Sequence, residues 1–210
     1  MNERRKKVLI YVLCILVLGF IILTALILAF PNSVVDREFS EEIQEHQNPA
    51  LDYFMKFVSW FGYMPYSLIS VLFTAAVFYL FNYKKPALFI LFTLVSGLVS
   101  SSMKILVNRP RPTDSVVRIV EKANNQSFPS GHVVFYVVFF GFLALLMYHL
   151  MSIPKKLRLV AGVFALLMVF AVPLSRVYLG AHWFTDVIGG FILGLLTLFI
   201  LSYLYLRKPN

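Results

Sequence analysis

Residues 8–30 form an apolar run without one charged side chain, and five further runs follow at 63–81, 87–107, 131–151, 159–178 and 184–206. A helix needs about 20 mostly apolar residues to cross the hydrocarbon of a bilayer. Six such runs leave almost nothing for a soluble domain. Of 210 residues, 60% are hydrophobic and 14% charged, against about a quarter charged in an ordinary soluble domain. The expected fold is therefore all-α and integral to a membrane, a single domain over residues 1–210 with six transmembrane helices. The first run is too long for a signal-peptide core, and no small-residue cleavage site follows it, so an uncleaved anchor is expected.

Charge gives an orientation. Eleven of the 19 Lys and Arg lie at the N-terminus, in the turns carrying Lys84–Lys85 and Lys155–Arg158, and in the tail. The other eight share the opposite side with eight acidic residues between Asp36 and Glu121. The positive-inside rule then places both termini in the cytoplasm and the loops 31–62, 108–130 and 179–183 outside. The net charge of +9 follows from this flanking pattern, and no nucleic-acid partner is expected. The lone Cys14 excludes an intramolecular disulfide framework and a cysteine metal cluster. Residues 34–61 mix charges with Phe39, Ile43, Leu51, Phe54, Phe57 and Trp60. That mixture predicts an interfacial amphipathic helix between the first and second spans, a plain surface linker being the alternative.

Three segments carry chemistry, and all three fall on the predicted outer side. The first is Lys104-Ile-Leu-Val-Asn-Arg-Pro-Arg111-Pro112. Lys104 lies within an apolar register, where a charge is costly. Arg111 follows about two helical turns on, with Pro110 and Pro112 set to stop the helix and hold it on a turn. An arginine fork suits phosphate oxygens; a snorkelling lysine and a basic loop are the bland alternative. The second segment is Phe128-Pro-Ser130-Gly131-His132. A helix starting there offers free amides and a dipole to an anion, with the Ser130 hydroxyl, close approach at Gly131, and His132 as a proton donor. A simple helix cap would look the same. The third is Ser175-Arg176-Val-Tyr-Leu-Gly-Ala-His182-Trp-Phe-Thr-Asp186. The i, i+4 spacing is expected to set His182 and Asp186 on one helix face. Asp186 would take the Nδ1 proton and leave Nε2 nucleophilic, unless the two form only a structural pair.

Together the segments resemble the signature of the type 2 phosphatidic acid phosphatase superfamily, which includes bacterial lipid phosphatases and glucose-6-phosphatase. That signature asks for Lys, six residues and Arg-Pro, met by Lys104 and Arg111-Pro112. It asks for Pro-Ser-Gly-His, met by Pro129 to His132. It asks for Ser-Arg, five residues, His, three residues and Asp, met by Ser175-Arg176, His182 and Asp186. The resemblance implies a lipid phosphatase of the membrane branch. Lys104, Arg111, Ser130, Gly131 and Arg176 would bind phosphate, His182 would form a phosphohistidine, Asp186 would orient it, and His132 would be the general acid. No metal or other cofactor is expected, since the site holds one carboxylate amid several cations.

The expected setting is a multi-pass protein of the plasma (inner) membrane, its partners the bilayer and a lipid phosphate, with no obligate protein partner. For a bacterial source, undecaprenyl diphosphate is the expected substrate. Phosphatidylglycerophosphate and phosphatidic acid are the alternatives, as is phosphotransfer to a second lipid. A non-enzymatic lipid transporter or scramblase would spread polar groups along its spans. Here they cluster at one end, apart from Ser96, Ser100, Ser101 and Ser102.

Overall fold

A computed structural model describes residues 3–31 and 33–207. All regular structure among them is helical: α1 (Glu3–Ala29), α2 (Val34–Gln44), α3 (Pro49–Ser59), a 3₁₀ turn at Trp60–Gly62, α4 (Tyr66–Leu80), α5 (Lys84–Phe92), α6 (Val95–Val107), α7 (Gly131–His149), α8 (Lys155–Tyr178) and α9 (Phe184–Leu206). Five segments are long and apolar enough to span a membrane: Lys7–Ala29, Lys84–Val107, Gly131–His149, Lys155–Tyr178 and Phe184–Leu206. The second expected span is different. Its helix, Tyr66–Leu80, has only 15 residues, and it reaches spanning length only with the helix before it, across a 61° bend. The count is thus five, or six if that bent pair is one span.

The centre is α7. A helix apolar on every face is either enclosed in protein or faces lipid, and in α7 it is protein that encloses Val133, Tyr136, Val137, Val138, Phe142 and Leu146. Its main neighbours are α8 and α9, with α6 beside them. Elsewhere the large apolar side chains point outward, Ile15, Leu98, Leu167 and Phe170 among them, as lipid-facing surfaces require. α1 is the most peripheral span, packed chiefly on α9.

The single interfacial helix expected over 34–61 is two helices. Pro49 has no N–H to continue a helix but suits a first turn, and the Asn48 side chain caps α3 by accepting from Leu51 N–H at 2.8 Å. The two helices bury different faces: α2 turns polar side chains inward, whereas α3 sends Val58 into the core with Ser59 beside it. α2 buries Asp36, Ser40 and Gln44 while Val34, Val35 and Phe39 are exposed. α3 exposes Tyr53, Phe54 and Phe57.

The inward polar groups tie down the long loop 108–130. Gln44 Nε2 donates to the carbonyls of Arg118 and Tyr178, at 2.9 and 2.8 Å. Gln44 Oε1 accepts from Arg118 N–H at 3.0 Å, and Arg118 pairs with Asp52. The three loops assigned to one side by charge thus meet at one end of the bundle.

Candidate active site

Helix α6 stops where Asn108 turns left-handed, at φ 48°, two residues ahead of Pro110. Lys104 is in its last turn and Arg111 lies beyond it on irregular chain. Main-chain carbonyls hold both cations. Lys104 Nζ donates to Gln126 O at 2.5 Å and Ser127 O at 3.3 Å. Arg111 Nε donates to Asn125 O at 2.8 Å and its NH1 to Ala181 O at 2.5 Å. Segment 124–127 therefore aims two of the predicted phosphate ligands. Burial, helped by the Arg176 charge, lowers Arg111 to about 10, which still leaves it cationic at neutral pH.

Ser130 precedes α7 with extended backbone, yet its side chain makes no cap bond. Its Oγ is buried without a partner, so the plain-cap reading fails. Its N–H is also committed, to Asp186 O at 3.0 Å. That corrects the expected cradle: the free first-turn amides begin at Gly131, since α7's first turn has no intrahelical acceptor for them. Two glycines bring the chain this close. A Cβ on Gly190 would lie 2.8 Å from Ser130 O, and one on Gly62 would lie 2.2 Å from the His132 ring. His132 meets the edge of Tyr63 at 4.5 Å, and its Nε2 is buried and unpartnered.

Arg176 is 1% exposed. Its NH1 donates to Tyr63 Oη at 2.6 Å and Ser59 Oγ at 3.0 Å, and lies 3.6 Å from Glu121. Its Nε has no partner. Arg111 reaches His182 Nε2 at 3.3 Å, Ser130 N–H reaches Asp186 O at 3.0 Å, and Tyr63 lies against both His132 and Arg176, so the structure brings all three segments into one space.

His182 is not on a helix, contrary to the i, i+4 expectation. α9 begins at Phe184 after Trp183 as N-cap, which leaves His182 in the turn before it. Asp186 is the third helical residue and accepts from Trp183 N–H at 2.9 Å, as the acidic half of a capping box. The turn still faces His182 Nδ1 toward Asp186 Oδ2, at 3.6 Å, longer than a hydrogen bond. Arg111 NH1 stands 3.3 Å from His182 Nε2. A guanidinium can only donate, so the lone pair sits at Nε2 and the ring proton at Nδ1. Burial, with the charges of Arg111, Lys104 and Arg176, holds His182 well below the usual imidazole range. A neutral ring with an unprotonated Nε2 can attack phosphorus once phosphate takes the Arg111 guanidinium.

Sequence reasoning missed the groups that hold Asp186. Arg109 NH1 donates to Asp186 Oδ1 at 2.6 Å, and Ser127 Oγ donates to Oδ2. Arg109 also pairs with Asp36 at 2.6 Å. Arg109 lay inside the first segment; its partners lie 73 and 77 residues away, and no local spacing reveals them.

A multi-span helical bundle with cations, free amides and two histidines gathered at one end has the fold of a membrane phosphatase. The chain belongs to the PAP2 superfamily, whose model matches residues 85–209. It is 34% identical over 195 residues to phosphatidylglycerophosphatase B of Bacillus subtilis (strain 168), covering 89% of this chain and 91% of that one. It is 29% identical over 165 residues to the undecaprenyl-diphosphatase BcrC of the same organism, covering 77% of each. The crystal structure of the transmembrane PAP2 type phosphatidylglycerolphosphate phosphatase from Bacillus subtilis superposes with a TM-score of 0.80 at 25% identity, covering 94% of this chain and 98% of that one. The protein is a lipid phosphatase, a hydrolase of phosphoric esters in a multi-pass membrane setting.

Proposed function

We propose that the protein hydrolyses a lipid phosphate at the outer membrane surface, without a metal, through a phosphohistidine on His182. The observation that carries this is the set of buried polar atoms without protein partners, Ser130 Oγ, His132 Nε2 and Arg176 Nε, beside Lys104, Arg111 and a neutral His182. Buried polar atoms are rarely left unsatisfied, and an oxyanion would satisfy all of these.

The phosphate oxygens sit against Lys104, Arg111, Arg176, the Ser130 hydroxyl and the amides from Gly131 onward. The lone pair of His182 Nε2 forms the N–P bond as the bond to the lipid oxygen breaks, in line. His132 gives its proton to that leaving oxygen. The ring of His182 becomes cationic, and Asp186 stabilises it across Nδ1. Water then attacks phosphorus with His132 taking its proton, and Nε2 leaves with its lone pair. The fixed cations supply the charge stabilisation a metal would.

For the substrate, phosphatidylglycerophosphate is favoured by the phosphatidylglycerophosphatase B likeness, which runs over nearly the whole chain. Undecaprenyl diphosphate is the second reading, supported by BcrC. Purified protein in detergent, given each lipid in excess EDTA, tests both halves. Phosphate release should survive EDTA, and the favoured lipid should have the higher kcat/KM. Complete loss restored by magnesium would sink the metal-free mechanism; a higher kcat/KM on undecaprenyl diphosphate would reverse the order of substrates.

A further inference from the structure

Arg109 is buried at 2% exposure and its fork is filled from two sides. NH1 donates to Asp186 Oδ1 at 2.6 Å and to Thr185 Oγ1 at 2.8 Å. NH2 donates to Asp36 Oδ2 at 2.6 Å and to Pro31 O at 3.0 Å. Asp36 is held in turn by Thr185, whose N–H donates to Oδ1 at 2.8 Å and whose Oγ1 donates to Oδ2 at 2.9 Å. One guanidinium therefore stands between two carboxylates, and the far one belongs to α2, outside all three signature segments.

We infer that Asp36 and Arg109 are positioning residues for the nucleophile, a buried carboxylate–guanidinium–carboxylate relay that keeps Asp186 both oriented and net anionic toward His182. This rests on the reading of His182 as the nucleophile. The argument is one of charge. Arg109 and Asp186 alone would cancel, and nothing would remain to stabilise the cation that forms on the His182 ring as Nε2 bonds to phosphorus. Asp36 restores one uncompensated negative charge to the cluster. The geometry sends it the right way: Oδ1 of Asp186 is taken by Arg109, while Oδ2, with Ser127 and Trp183 N–H on it, faces Nδ1 of His182. A tie serving stability alone has no need of the second carboxylate, because buried ion pairs are poor stabilisers. The relay also makes α2 part of the site, since its inward polar face ends on the nucleophile's partner.

The test is Asp36→Asn, which keeps shape and removes charge, read in detergent on the folded, monodisperse fraction. Losing an outer partner that orients a histidine costs on the order of 10–100-fold. The expected loss is of that size in kcat and in the burst rate of phosphoenzyme formation, with KM changed less than about twofold, the signature of a transition-state effect. In an Asp186→Asn background the same substitution should cost nothing further, because the charge it serves is already gone. Arg109→Lys keeps a cation but cannot fork between two carboxylates. It should show the same kcat loss and the same dependence on Asp186, and it carries the test if Asp36→Asn does not fold. Unchanged kcat in the folded fraction, or a loss that adds fully to that of Asp186→Asn, overturns the relay. His182→Ala is the control: phosphoenzyme persisting there overturns the nucleophile reading itself, whereas its loss there with a normal burst in Asp36→Asn overturns the relay alone.

Discussion

His182 is buried and His132 half-buried with its Nε2 covered, and different groups hold them. His182 has Arg111 at Nε2 and Asp186 toward Nδ1; His132 has the edge of Tyr63, and among the described residues its Nε2 has no partner. That difference divides their labour and can be measured. An aryl phosphate has a leaving group that barely needs a proton. His132→Ala should keep much of the wild-type burst on such a substrate while losing about 10²–10⁴-fold on the lipid, the usual worth of a general acid. His182→Ala should show no burst on either. The opposite pattern would exchange the roles. Gly62 offers a subtler version. A methyl there would meet the His132 ring at 2.2 Å and push it aside with every catalytic group still present. Gly62→Ala should lose about 10²-fold on the lipid and keep the aryl burst. Its thermal midpoint should fall as well, since overpacking costs about 1–3 kcal/mol. Full lipid turnover in Gly62→Ala would mean that the position of the His132 ring is not critical.

At the scale of elements, α3 has two faces with two tasks. Inward, its last residue Ser59 bonds Arg176 at 3.0 Å and also contacts Ser175. Outward it shows Phe54 and Phe57, and Trp60 follows in the 3₁₀ turn, its ring 4.3 Å from that of Tyr66 and tilted by 32°. If those aromatics lie in the lipid beside the site, replacing Phe54, Phe57 and Trp60 with Ser should raise KM for long-chain substrates and leave short-chain ones little changed. Equal effects on both would make the helix purely structural. The apolar content of 34–61 was legible in the sequence, but the break at Asn48-Pro49 and the polar inward face of α2 were not. Amphipathic periodicity gives two faces without saying which is covered. That polar face is buried because Asp36 and Gln44 find partners on distant segments, Arg109, Arg118 and Tyr178, while Ser40 donates to Asp36 O within α2. The motif residues, by contrast, were legible because helix ends and prolines position them locally. His182 lies off the expected helix for a related reason: its spacing to Asp186 fits a helix, but α9 starts only at Phe184 and Asp186 caps it from within the first turn.

The whole molecule sorts its charges by end. α6 and α8 finish at the site, and α7 and α9 start there, so the starts of α5 and α8 and the finish of α9 lie at the other end of the bundle. Those far ends carry Lys84 and Lys85, Lys155, Lys156 and Arg158, and Arg207. The site end carries acidic side chains interleaved with its cations: Asp36, Asp52 and Glu121 against Arg109, Arg118 and Arg176. Basic loops stay cytoplasmic because Lys and Arg near spans resist translocation, whereas acidic groups contribute little to orientation. The geometry thus predicts the site outside and the Lys155–Arg158 turn inside. With the native Cys14 replaced by Ala, single cysteines serve as probes. A membrane-impermeant maleimide added to intact cells should label a cysteine in residues 113–125 and spare one at Lys156 until the membrane is permeabilised. Labelling at Lys156 in intact cells, with 113–125 silent, would turn the protein over and move its substrate to the inner leaflet. The fold and the grouping of catalytic side chains would stand unchanged, because neither depends on which way the bundle is inserted.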